Sequence, residues 1–84
     1  MINGRRSDID IIGGILEVVG EGAKKTEIVY KVNLNHSLLK RYLSVLVEKK
    51  LVSETLLGNT KIYNITDRGI KLLDAIRRVR DLLR

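Results

Sequence analysis

The chain has 84 residues, 44% of them hydrophobic, and sixteen Lys and Arg against ten Asp and Glu give a formal charge of +6. That is one small domain with a core that is marginal unless a disulfide, a metal or a second subunit adds to it. The lack of cysteine excludes disulfides and thiolate sites, and one histidine, His36, cannot assemble a transition-metal cluster, so a partner subunit is the expected source of extra burial.

Residues 1–6, MINGRR, read as a flexible basic tail. This start lacks the apolar core and cleavage site of a secretory signal, and no apolar run is long enough to span a bilayer. A cytoplasmic protein without membrane contact is expected. A first helix is predicted from Ser7 or Asp8, either of which can cap it, to about Val19. Ile12, Ile15, Leu16 and Val19 fall at i, i+3, i+4 and i+7 on one face, widened by Ile9 and Ile11. Gly13 and Gly14 each weaken that helix by roughly 1 kcal/mol relative to alanine, which suggests a second helix in close approach. Gly20 to Gly22 (GEG) stops it. Ala23 to Lys25 is too short to stand alone and can extend the edge of a sheet.

A second helix is predicted from Lys25 or Thr26 to Lys31, with Thr26 as a cap and Ile28, Val29 and Val32 apolar. Val32 to Asn35 (VNLN) reads as a tight turn, because Asn tolerates left-handed backbone geometry, with Leu34 plugging the core. The third helix runs from Asn35 or Ser37 to Lys49. Leu39, Tyr42, Leu43 and Leu46 form its buried face, while Ser37, Lys40, Arg41, Ser44 and Glu48 share the opposite one. Then the period changes. Val52–Leu57 and Thr60–Ile65 read as strands around a Gly58-Asn59 turn of type II′. Leu56 and Leu57 are adjacent, so only one of them can face inward. A fourth helix starts after the cap Thr66 and runs to the end of the chain.

Two short helices across a tight turn, then a hairpin, describe a winged helix-turn-helix. The expected fold is α+β, mostly α, with this unit over residues 7–66 and a long C-terminal helix over 67–84. An α-helix fits the major groove of B-DNA. On the third helix Arg41 can pair bidentately with guanine, Asn35, His36 and Ser37 can bond base edges, and Lys40 and Ser44 can reach phosphates or bases. Lys24 and Lys25 can hold a phosphate, and Thr26 can offer one its backbone N–H. Asn59, Thr60 and Lys61 flank the wing tip. Arg5 and Arg6 can form a minor-groove arm. A plain solvated surface is the alternative for the third-helix, lysine and wing residues, capping alone for Thr26, and disorder for Arg5 and Arg6. Tyr30, Tyr42 and Tyr63 read as packing residues, not as stacking platforms.

The chain also resembles the small archaeal winged-helix DNA-binding proteins, most specifically through GAKKTEIVYKVNLN, LLKRYLSVLVEKKLV and YNITDRG. The family usually has glycine where Lys50 stands. The resemblance implies DNA binding and dimerisation through a C-terminal coiled-coil helix. The residues themselves agree: Leu72, Ile76, Val79 and Leu83 recur at heptad spacing, whereas Ile70 and Leu73 can face the domain core. Leu72, Ile76, Val79, Leu82 and Leu83 form the expected dimer interface, which leaves Arg77, Arg78, Arg80 and Arg84 solvated or paired with the partner's Asp74 and the partner's Asp81. Folding back of this helix along the first one is the alternative. The expected function is double-stranded DNA binding by a homodimer, as a transcriptional regulator or an architectural protein. A winged-helix adaptor that binds protein and no DNA is the competing reading. No catalytic set, metal site, cofactor or small-molecule ligand is expected.

Overall fold

The structure is a computed structural model that describes residues 7–84; the expected basic tail, with Arg5 and Arg6, lies outside the described residues. Its elements are α1 (Asp8–Val18), a 3-10 turn (Val19–Glu21), α2 (Lys25–Val32), α3 (His36–Glu48), β1 (Val52–Leu57), β2 (Thr60–Ile65) and α4 (Asp67–Leu83).

Ser7 starts α1 through a reciprocal cap. Its hydroxyl accepts the Asp10 N–H at 3.2 Å, and the Asp10 carboxylate accepts the Ser7 N–H at 3.3 Å. The Ser7 hydroxyl, then its N–H, and more weakly Arg80, hold the Asp10 carboxyl below its ordinary value. Ile11, Ile15, Leu16 and Val19 are buried, Ile12 is half-buried, and Ile9 in the first turn is exposed. The two glycines each admit a helix. Gly13 lies under Ile76 and Arg80 of α4, and Gly14 lies against Val32 of α2.

Gly22, at φ +85°, turns the chain so that Ala23 pairs with Tyr63 across N···O distances of 2.9 and 2.8 Å. This is the short sheet extension expected at Ala23. The cap of α2 is Lys24, not Thr26. The Glu27 carboxylate accepts the Lys24 N–H at 3.1 Å, and Thr26 stands exposed one residue inside the helix. An acid three residues after the cap satisfies a free N–H that a threonine placed later cannot reach. Asn33 closes the turn at φ 61° and ψ 54°, and Leu34 is buried behind it.

Asn35 caps α3 by accepting the Leu38 N–H at 2.7 Å. The far end closes on two backbone bonds, Leu51 N–H to the Leu46 carbonyl at 2.9 Å and Lys50 N–H to the Val47 carbonyl at 3.0 Å. Lys50 between them is at φ 61°. This is the Schellman arrangement, with buried Leu46 and Leu51 as its apolar pair.

The hairpin has the expected bounds, and its register sets Val52 opposite Ile65 and Leu57 opposite Thr60. Gly58 alone in the turn has positive φ, +64°, as type II′ requires. Val52 and Tyr63 anchor its base in the core. One expectation fails at the tip: neither Leu56 nor Leu57 faces inward, because both lie beyond the end of the core, 67% and 73% exposed.

Thr66 starts α4 by accepting the Gly69 N–H at 3.0 Å. Gly69, Leu73 and Ile76 form the buried stripe, so Ile70, expected to face the core, is turned outward. This first half of α4 lies back along α1. Arg80 reaches Glu17 at 3.2 Å and Asp10 at 4.0 Å, and Arg77 reaches Glu17 at 3.9 Å, all within the one chain. Beyond Ile76, Val79, Leu82 and Leu83 are exposed. No described helix is long and apolar enough to cross a membrane.

Candidate nucleic-acid interface

The periodicity of α3 divides it into two faces, although Tyr42, expected on the buried one, is only half-buried. Leu39, Leu43 and Leu46 are fully buried, whereas His36, Ser37, Lys40, Arg41 and Ser44 are all exposed, as is the cap Asn35. Capping engages the Asn35 side-chain oxygen and leaves its amide NH2 to donate. Neither Lys40 nor Arg41 forms an ion pair among the described residues, whose ion pairs involve Lys61, Arg77 and Arg80. A desolvated, neutralised cation would be poorly suited to a phosphate or a guanine; these two are neither.

What fixes this face is the packing behind it. The Tyr42 hydroxyl donates to the Asp8 carboxylate at 2.5 Å, tying the middle of α3 to the start of α1. Arg41 stands at the edge of a recess it shares with Asp8, Ile12, Leu38, Tyr42, Val45 and Leu46.

A second group of expected residues is brought together by the hairpin. Lys24, Lys25 and Thr26 at the start of α2 line one open groove with Asn59, Thr60 and Lys61 of the wing tip. Leu56 completes that groove and was not anticipated from the sequence. Lys61 pairs at 3.9 Å with Glu54, its neighbour on the hairpin face, and both side chains are open to solvent. Such a pair stabilises little and leaves the ammonium available.

Tyr30 is a correction. It is 80% exposed on α2, so it does not pack. Its position one helical turn after Thr26, away from buried Ile28 and Val32, was the signal that could have shown this. Tyr63 is the opposite case, 1% exposed. Burial, then the neighbouring Glu54 carboxylate, push its hydroxyl above the ordinary phenol value.

The five dimer residues expected on α4 lie in different surroundings. Ile76 is buried within the chain and Leu72 is half-buried, whereas Val79, Leu82 and Leu83 are open.

A helix, a left-handed turn at Asn33, a second helix with an exposed cationic face and a two-stranded wing together define a winged helix-turn-helix unit. The chain belongs to the winged helix-turn-helix family, whose model matches residues 5–84. Its backbone is similar to that of Sso10a-2, a DNA-binding protein from Sulfolobus solfataricus, at TM-score 0.82 and 27% identity over 93% of this chain and 85% of that one. It is similar as well to AF1382 from Archaeoglobus fulgidus, at TM-score 0.74 and 30% identity over 89% and 85% of the two chains. MepR, a transcription regulator of the Staphylococcus aureus multidrug efflux pump MepA, shares the fold at TM-score 0.78 and 22% identity, over 88% of this chain and 58% of that one. No curated protein sequence matches the chain. The resemblance to small archaeal winged-helix proteins therefore holds.

Proposed function

We propose that the protein binds double-stranded DNA as a homodimer and acts as a regulator of transcription, with α3 in the major groove. The observation that carries this reading is the pair Lys40 and Arg41, exposed and without ion-pair partners among the described residues, on the helix that follows the Asn33 turn. Sso10a-2 is a DNA-binding protein, and a MepR mutant is bound to an oligodeoxyribonucleotide, which supports the same use of this fold.

In this reading Arg41 contacts guanine, with Asn35, His36 and Ser37 at neighbouring base edges and Lys40 and Ser44 at phosphates or bases. Lys24, Lys25 and Thr26 hold the backbone beside the groove, and Asn59 and Lys61 approach from the wing. The role is binding, not catalysis.

The test is a fluorescence anisotropy titration of a labelled duplex at several salt concentrations. Wild-type affinity should fall steeply with salt, as counterion release requires. Arg41→Ala should weaken binding by about 1–3 kcal/mol with little change in melting temperature, because Arg41 is exposed and forms no ion pair among the described residues. Equal affinity of variant and wild type would remove α3 as the reading helix.

A further inference from the structure

We infer that the wing tip is an apolar wedge that enters the minor groove and bends the duplex. This rests on the DNA-binding reading above and adds a deformation to it.

Leu56 and Leu57 are consecutive, 67% and 73% exposed, and sit directly before the Gly58-Asn59 turn. Successive strand residues point to opposite faces, so no rotation of the hairpin could hide both. Only Val52 at the other end of β1 is buried, so the tip stands clear of the core and most of each leucine stays open to solvent. Across the ladder Leu56 faces Lys61 and Leu57 faces Thr60. An apolar strand end is thus paired with a cationic and hydrogen-bonding one.

The groove beside the tip supplies the matching charge. Leu56 shares it with Lys24, Lys25 and Lys61, and Lys24 and Lys25 form no ion pair among the described residues. The occupant must be anionic along its flank and offer an apolar slot at its centre. A DNA minor groove has that form: phosphates along both rims, and base steps that open to an inserted leucine as the duplex kinks. The groove includes the start of α2, whose other end is joined to α3 through the Asn33 turn. In this inference a duplex held by α3 presents its adjacent backbone to the lysines and its minor groove to the leucines.

The inference is tested with a mixed-sequence duplex of about twenty base pairs carrying a donor and an acceptor dye at its ends, long enough for a bend to register. Wild-type protein should raise energy transfer. Leu56→Ser/Leu57→Ser should abolish that rise and weaken binding about tenfold at every salt concentration, with the slope of log affinity against log salt unchanged, since no phosphate contact is lost. Lys24→Ala/Lys25→Ala should instead reduce that slope by about two. Neither pair lies in the core, so both variants should melt like wild type. Full bending by the leucine variant overturns the wedge while leaving DNA binding intact. If the leucines serve only to hold phosphatidylserine vesicles and the bend is unaffected by their loss, the wedge is likewise overturned. Failure of wild type to bind duplex even at low salt defeats the DNA-binding reading itself, and the wedge with it.

Discussion

Lys50 sits at φ 61°, where a Cβ crowds the backbone, yet the geometry that closes α3 depends on it. A left-handed conformation costs a residue such as lysine roughly 1–2 kcal/mol, and glycine avoids that cost while losing more chain entropy on folding. The balance favours glycine. Lys50→Gly should raise stability by about 0.5–1 kcal/mol, read as a higher urea midpoint at unchanged slope. Asn33 occupies the same region at φ 61°. Its short amide side chain tolerates that geometry, which is why the VNLN turn was legible in the sequence. Lysine has no such preference, so nothing intrinsic to Lys50 announced the helix end; only the glycine usual in the resembling family marked the place. Thr26 shows the converse error, a residue of capping type whose role was taken by Glu27 acting on Lys24.

The junction between α3 and α4 shows how neighbouring elements set one another's ends. Three groups of the α4 start satisfy carbonyls left open past α3: Arg68 Nε on Lys49 at 3.0 Å, the Thr66 hydroxyl on Lys50 at 2.7 Å, and the Thr66 N–H on Leu51 at 3.2 Å. The contact is close enough that a Cβ on Gly69 would lie 2.1 Å from the Leu51 carbonyl oxygen and 2.7 Å from Ile65 Cγ1. Backbone cannot yield as a side chain does. Gly69→Ala should therefore cost about 2 kcal/mol, despite alanine's better helix propensity, in a calorimetric or denaturant measurement. On Gly13 the same added Cβ would meet the Arg80 guanidinium at 2.7 Å, the far end of a flexible side chain that can move aside. The strands and the hairpin turn were readable because β-branched residues and Gly-Asn mark them locally. The orientation of α4 was not, because Gly69 at the tightest contact carries no hydropathy to count, and Ile70 beside it pointed the pattern the wrong way.

At the level of the whole molecule, α4 serves two surfaces. The spacing Leu72, Ile76, Val79, Leu83 reads as one seam, yet Ile76 is spent on the chain's own core over Gly13, and Arg80 is held by Glu17 and Asp10 of α1. A period records that a stripe is apolar and is silent on whether its cover is the same chain or another. Only the far end is left open, with Val79 49%, Leu82 84% and Leu83 81% exposed. Leucines that exposed at a helix end contribute little to a lone subunit, and in the dimer proposed above a second copy of the chain is their cover. So short a seam would give a weak pairing, so the proposed dimer should dissociate on dilution. Leu82→Ser/Leu83→Ser should shift the light-scattering mass from two chains to one while leaving the melting of the domain nearly unchanged, because neither residue reaches the core. Duplex affinity should then fall by about a hundredfold or more, since two reading helices no longer act on one site. Wild-type protein that scatters as a single chain at every concentration would leave those leucines without a partner of this kind, and each α3 would have to hold DNA alone.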